Sequence, residues 1–483
     1  MTKKEKDKQR LIFELSKELE ESNLAIFAGA GLSVQAGFVN WAELLKPIAE
    51  ELDLDIYKET DLVTLAQYHC NCNQSNRGKL NQLLIDEFSR QAKITDNHKI
   101  LARLPISTYW TTNYDKMIEN ALIEQGKIPD TKYRNQQLVF TRPKRDAVVY
   151  KMHGDVDHPS EAVLTKDDYE SYHVRMQPFL NALSGDLISK TFLFLGFSFS
   201  DPNLDYILSR VRIAYSKDQR QHYSLQKSVS RAECEEQADF EYRARKQELF
   251  IQDLLRFGIK TVLIDEYSEI TEVLFRLEQI YKRKTVFISG AAHSYGKWDS
   301  EVAERFIFDL SKDISKAGYR IVSGFGLGVG SSVITGVLEQ LYMSGSRLDN
   351  DQLILRPFPQ TQVGKKEIKT IWKEYRQDMI SYAGIAIFLF GNKIVEGAIV
   401  DSDGMKQEFE IANGMKLFLI PVGMTGFMAE KLWKELSDND YLSSLGMSEE
   451  IKTEFETLTN ENKSLDDVRK SIIRIIRLLN KRG

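Results

Sequence analysis

The chain has 483 residues, enough for two or three domains. Its hydrophobic content of 42% is ordinary for a globular protein. The balance of 65 Lys plus Arg against 70 Asp plus Glu leaves a net charge of −5, which argues against a nucleic-acid partner. The longest apolar runs, Phe192 to Phe199 and Ala383 to Phe390, fall far short of the roughly 20 residues a membrane helix needs, so no membrane association is expected. The charged start, Met1 to Lys8, has no apolar stretch behind it and predicts no secretory leader. Three cysteines, Cys70, Cys72 and Cys234, predict a reducing compartment, the cytoplasm, and no disulfide frame. Cys70-x-Cys72 reads as two buried thiols rather than a metal site.

A helix carrying Leu11, Leu15 and Leu19 at i, i+4 spacing precedes a strand from Leu24 to Phe27. Residues 41–105 read as mostly helical, with Leu44, Leu45 and Ile48 on an apolar stripe. Strands follow near 107–111, 147–151, 191–196 and 259–264. The stretch 203–256, rich in Arg, Gln and Glu, reads as helix packed over the site. A helix through Leu274, Leu277 and Ile280 runs into the basic tetrad Tyr281-Lys282-Arg283-Lys284, where the domain boundary is placed. A second alternation of strands and helices begins at Thr285, with further strands near 320–323, 352–355, 385–390 and 417–421. Ser464 is placed to cap a last helix that buries Leu465, Val468, Ile472, Ile475 and Leu479. The fold class expected is α/β, with two Rossmann-like parallel-sheet domains in tandem, residues 1–283 and 284–483.

Three phrases stand at predicted strand ends: Gly29-Ala30-Gly31-Leu32-Ser33, Thr112-Asn113-Tyr114-Asp115 and His153-Gly154-Asp155. In an open parallel sheet, ligands bind outside the carboxyl ends of the strands. A glycine turn, an Asn/Asp pair and a histidine would therefore meet in one crevice, as a dinucleotide site with one candidate general base. The first glycines are expected to take φ above zero and let a phosphate reach the backbone. The helix behind them would aim free N–H groups at the anion.

Together these phrases, with Gly196-Phe197-Ser198-Phe199-Ser200-Asp201-Pro202, resemble the sirtuin catalytic core over roughly residues 20–270. The resemblance implies that Asn113 and Asp115 lie at the nicotinamide and its ribose, that His153 is the base acting on that ribose, and that Ser198 lies near the adenosine. Gly29, Ala30, Gly31, Ser33 and Gly196 would complete the NAD+ site. Only Cys234 follows His153, so the four-thiolate zinc site of sirtuin deacylases cannot be built there. Val39-Asn40-Trp41 also replaces the usual Asp-Phe-Arg. Both departures oppose an acyl-lysine substrate. They leave cleavage of the nicotinamide–ribose bond with water as acceptor, without metal or cofactor. An NAD-binding regulator that does not cleave its ligand is the alternative.

The second half resembles the nucleotide-binding family that includes the Smf and LOG proteins, on Ser289-Gly290, the loop Gly324 to Gly330 and the segment Asp403 to Glu408. The double glycine that precedes the LOG glutamate is broken here, which favours binding over phosphoribohydrolase chemistry. Arg376 and Lys393 suit phosphates, and Glu408 suits a ribose diol.

The pairing of the two halves resembles the NAD-consuming effectors of the Thoeris antiphage system. That resemblance implies that a partner TIR-domain protein makes a cyclic ADP-ribose isomer. The isomer would bind Ser289, Gly290, Gly326, Gly328, Arg376, Lys393 and Glu408 and switch on NAD+ cleavage by Asn113 and His153. It further implies a homotetramer whose assembly is reorganised on activation.

Overall fold

The computed structural model describes residues 2–345, 352–358 and 367–481. The chain divides into two compact units, Met1–Glu278 and Gln279–Gly483, with the division inside the helix Ser268–Lys282. Each is built on a parallel sheet, so the α/β class with two Rossmann-like sheets in tandem holds.

The first unit has seven strands: β1 Leu24–Ala28, β2 Thr108–Thr111, β3 Pro129–Lys132, β4 Ala147–Lys151, β5 Thr191–Leu195, β6 His222–Lys227 and β7 Ile259–Ile264. Their order is β3-β4-β2-β1-β5-β6-β7, and every pairing is parallel. A parallel sheet is covered on both faces, and its central strands are therefore apolar throughout. Both β1 (Leu-Ala-Ile-Phe-Ala) and β5 (Thr-Phe-Leu-Phe-Leu) are buried at every residue. Phe27, Trp110, Phe192 and Phe194 belong to one core, with the rings of Phe27 and Phe194 stacked at 5.2 Å.

Two of these strands escape the pattern reading, because neither carries an apolar run. The edge strand β3 is Pro-Asp-Thr-Lys, and its charges satisfy one another. Lys132 Nζ lies 2.8 Å from Asp130, which also pairs with Arg145 at 3.0 Å. The polar strand β6 uses His222 as a core group, whose Nδ1 accepts from the Phe192 N–H at 3.1 Å. The stretch 203–256 is accordingly not one helical segment. It comprises the helix Pro202–Tyr215, then β6, then the helix Gln237–Leu254. That last helix packs on β7, and Leu254 is its one fully buried residue. No residue of 203–256 lines the cavity of this unit, which the helix Pro202–Tyr215 and its cap reach only at Asp201 and Pro202, so the expectation that the stretch covers the site is not met.

The second unit contains β8 Thr285–Ala291, β9 Arg320–Ser323, β10 Leu353–Leu355, β11 Ile385–Phe390, β12 Asn392–Val395, β13 Ala398–Asp401 and β14 Phe418–Pro421. Five of them form the expected parallel sheet, in the order β10-β9-β8-β11-β14. β12 and β13 form a separate antiparallel hairpin that the sequence reading did not anticipate. The last helix, Leu465–Lys481, is capped as expected. Ser464 Oγ accepts from the Asp467 N–H at 3.1 Å, and Leu465, Val468, Ile472, Ile475 and Leu479 are all buried. Among the described residues no helix is long and apolar enough to cross a membrane.

The turns that leave β1 and β5 lie against each other. The Gly31 N–H donates to Gly196 O at 2.9 Å, and a Cβ on Gly196 would stand 2.2 Å from Leu32 N. A Cβ on Gly29 would stand 2.4 Å from Gly196 O. Gly196 also has φ +61, whereas Gly29 has φ −104 and Gly31 is not in the left-handed region. Gly29 and Gly31 thus serve close backbone contact, not the positive φ expected of them. Gly37 has φ +91 with nothing within 4 Å. Replacing Gly196 by Ala adds a backbone clash to a strained φ, and such strain costs on the order of 1–3 kcal/mol. The thermal midpoint should fall more for Gly196→Ala than for Gly37→Ala, where only the φ penalty applies; equal midpoints would contradict the packing role.

Candidate functional site

The strand order reverses at β1, whose neighbours β2 and β5 continue the chain in opposite directions across the sheet. A crevice opens at such a point, outside the carboxyl ends of the strands. There the structure has a cavity of about 910 Å³. Its wall includes Ala30, Gly31 and Ser33 after β1, Asn113 and Asp115 after β2, His153 after β4, and Gly196 and Ser198 after β5. Gly29 is not on the wall and acts behind it, through the packing described above.

Two polar atoms on this wall, Asn113 Oδ1 and Asp115 Oδ2, are buried with no hydrogen-bond partner among the described residues, and His153 Nε2 meets only Asp201. Buried polar groups are rarely left so, and those that are ask for a ligand or a chemical role. The rest of each side chain is held firmly. Asn113 Nδ2 donates to Gly29 O at 3.1 Å and to Ser33 Oγ at 3.2 Å, which turns the amide oxygen away from the glycine turn. Asp115 Oδ1 accepts from the Met117 N–H at 2.9 Å. Ser198 Oγ pairs with Ser200 Oγ at 2.7 Å on the exposed rim.

Asp201 is the residue that motif reading passed over. Its Oδ2 lies 2.9 Å from His153 Nε2, a close polar contact without the alignment of a full hydrogen bond. Its Oδ1 accepts from the Asn203 and Leu204 N–H groups at 2.9 and 3.0 Å, capping the helix Pro202–Tyr215. Burial works to raise the Asp201 carboxyl, but His153 and the two N–H groups outweigh it and hold the group below the usual carboxylate range. The signal was present in Ser200-Asp201-Pro202, a cap followed by proline at the first helical position. The remaining wall is largely apolar, with Phe38, Trp41, Leu44, Leu62, Phe88 and Phe197.

Two other histidines of the first unit, His98 and His222, are buried in the core. Burial pushes His98 down to about 4 and His222 to about 3, so both are neutral core groups near pH 7. The cysteine expectation needs correction. Cys70 is buried, but Cys72 lies exposed near the end of the helix Leu62–Cys72 and turns to solvent.

A second cavity, of about 490 Å³, opens at the carboxyl ends of β8 and β9. Ser289, Gly290, Gly326, Arg376 and Glu408 line it. Ser289 Oγ donates to Glu408 Oε2 at 2.6 Å, and Arg376 Nε stands 3.4 Å from Glu408 Oε1. Arg376 Nη1 donates to Gln407, and its guanidinium lies over the Phe358 ring at 4.9 Å. Burial raises the Glu408 carboxyl, with Ser289 and Arg376 opposing. Phe325, Leu327, Pro357 and Phe358 form an apolar side facing this polar group. Gly328 and Lys393 are not on the wall. Gly328, at φ +69, lets the loop press on Ala292 O, and Lys393 pairs with Asp403 at 2.8 Å beside the hairpin.

Comparison with known proteins matches both halves in order. The SIR2-like domain matches residues 107–250, and the Sir2- and TIR-associating SLOG family matches residues 269–479. The chain is 56% identical to the NAD(+) hydrolase ThsA of Bacillus cereus (strain MSX-D12), over 97% of this chain and 98% of that protein. The chain belongs to the ThsA family. Other members are the NAD(+) hydrolases ThsA of Cytobacillus dafuensis, at 49% identity over 98% of this chain and 97% of that one, and of Enterococcus faecium, at 43% over 98% and 99%. The family thus spans both units, and both cavities fall within its shared length.

Proposed function

We propose that the chain hydrolyses NAD+ to nicotinamide and ADP-ribose in the cavity of the first unit. The observation that carries this reading is the convergence of the buried, unpartnered Asn113 Oδ1 and Asp115 Oδ2 with the Asp201-paired His153 on one cavity at the switch point of the sheet. The names of the relatives support it. Nicotinamide leaves the ribose C1′ through an oxocarbenium-like centre and water adds. Asp115 faces the developing positive charge. Asn113 fixes the ribose or the water by hydrogen bonding. His153 takes a proton from the water or a ribose hydroxyl, and Asp201 stabilises the imidazolium that results. No metal or cofactor enters this scheme.

The cavity of the second unit is proposed as a signal site for a cyclic ADP-ribose isomer made by a TIR-domain partner, which switches on NAD+ depletion in antiphage defence within the cytoplasm. The name of the matched family, Sir2- and TIR-associating, supports the partner. Glu408 is set to accept a ribose diol and Arg376 to hold a phosphate by its fork. A homotetramer is part of the proposal, supported by apolar side chains left exposed on the hairpin, Ile394 and Ile399 among them.

His153→Ala and Asn113→Ala should each abolish turnover in a chain that still folds, since a lost acid–base group typically costs about 10²–10⁴ in rate and Asn113 fixes the ribose or the water. Asp201→Asn should lower kcat less than His153→Ala. Nicotinamide release measured with and without a panel of cyclic ADP-ribose isomers decides the matter. Near-normal release from either alanine variant would remove that residue from the mechanism. Intact NAD+ under every condition would leave a non-catalytic sensor.

Arg376→Ala and Glu408→Ala should weaken activation. A ligand shifts an off/on equilibrium only by its differential affinity for the two states. Each charged hydrogen bond lost is worth roughly 1.5–3 kcal/mol, or about one to two decades in the activating concentration. Calorimetry with the cyclic nucleotides, beside an NAD+-cleavage titration, tests this; unchanged half-activation in both variants would place the signal site elsewhere.

A further inference from the structure

Lys151, the last residue of β4, is buried completely, and its charge is not used by the chemistry above. Lysine is almost never fully buried unless paired. An ammonium has three N–H donors and no acceptor. Here all three are spent: on Tyr114 O at 3.0 Å, on Asp115 O at 2.6 Å and on Asp155 Oδ2 at 2.7 Å. Glu119 Oε1 also stands 3.3 Å away yet has no hydrogen-bond partner, as expected once the three donors are committed elsewhere.

The acceptors matter more than the pair count. Tyr114 and Asp115 belong to the irregular loop that carries Asn113, and Asp155 belongs to the loop that carries His153. Buried backbone carbonyls outside a sheet ladder need donors from elsewhere. Only a long side chain with several donors reaches two successive carbonyls and a carboxylate on the next loop. The Val156 N–H adds a second bond to Tyr114 O, at 3.1 Å, and the Met152 N–H donates to Thr111 O at 2.9 Å. The two loops are therefore sewn together from beneath the cavity, and the ammonium is the central stitch.

We propose that Lys151 is a positioning residue that fixes Asn113 relative to His153, which rests on the reading of those two as the catalytic pair. Lys151 is not itself on the cavity wall but holds Tyr114 and Asp115 of that wall from behind, so it acts on rate through geometry and not through substrate contact. Burial works against its charge, but Glu119, Asp155 and Asp115 outweigh that and hold the ammonium in its charged form. Burial also raises the Glu119 carboxyl, with Lys151 opposing.

The test uses the full-length chain with the cyclic ADP-ribose isomer panel present, at a temperature below the melting transitions of all variants. Lys151→Met should keep KM for NAD+ within about threefold while kcat per folded molecule falls about 10²-fold, the scale of a small misplacement of reacting groups. A kcat within about threefold of the parent, or a raised KM at unchanged kcat, overturns the proposal. Lys151→Met strands two carboxylates in the interior and risks unfolding. Asp155→Asn preserves the shape and removes only the anion that ties the His153 loop. It should lower kcat about tenfold at unchanged KM, and unchanged kcat in this folded variant overturns the proposal on its own. A parent chain that releases no nicotinamide overturns the functional reading and this inference with it, whereas active variants of an active parent overturn the inference alone.

Discussion

The contact between the glycine turns after β1 and β5 is the constraint on which the first site depends. Gly31 N–H meets Gly196 O at 2.9 Å, with no room for a Cβ on Gly29 or Gly196. Because those turns are locked together, Gly29 O is fixed, and the Asn113 amide hangs from it at 3.1 Å. Asn113 in turn leads the loop that Lys151 holds from below. The cavity is thus bounded by backbone that cannot shift independently. That rigidity is what a site needs when its polar groups must meet developing charge without first reorganising.

The two units solve the same problem with the same means and reach different ends. In each, a strand ends in a glycine turn that packs against a neighbouring turn. A Cβ on Gly326 would stand 1.8 Å from Gly290 O, just as one on Gly29 would collide with Gly196 O. The polar groups differ. The first cavity leaves an amide oxygen and a carboxylate oxygen unpartnered and sets its imidazole against Asp201. The second already pairs its carboxylate, Glu408, with Ser289 and sets Arg376 beside it. A site with a paired carboxylate and a guanidinium Nε still without a hydrogen-bond partner can take a ligand's hydroxyls and phosphates, which suits a binding role. A site that backs an imidazole with a carboxylate and leaves two oxygens free suits a reaction.

Much of this was legible in the residues. The buried strands β1, β5, β8 and β11 announce themselves as apolar runs, because parallel strands covered on both faces must be apolar. The strand-end phrases place Asn113, His153 and Ser289, because topology puts all strand ends on one edge, whereas Glu408, on the helix Asp403–Gly414, follows from the family resemblance. What stayed hidden was hidden for physical reasons. β3 and β6 satisfy their polar groups by ion pairs and by a core histidine, which no periodicity reveals. The hairpin β12–β13 has exposed apolar faces and so lacks the alternation that marks a half-buried strand. Gly29 and Gly31, expected to take positive φ, instead pack against the Gly196 turn, which depends on the neighbouring turn and not on local sequence. Lys393 stands near a strand end as expected, yet the hairpin carries it off the cavity wall to Asp403. Asp201 looks like a simple helix cap until the fold sets its other oxygen beside His153.

The central claim is that the first cavity cleaves the nicotinamide–ribose bond with water and with groups of this chain alone. Product analysis of NAD+ incubated with the full-length chain and the cyclic ADP-ribose isomer panel, in excess chelator, tests it most directly. The account predicts nicotinamide and ADP-ribose in equal amounts, undiminished by the chelator. Cleavage that stops with chelator, or a product other than ADP-ribose, would contradict it.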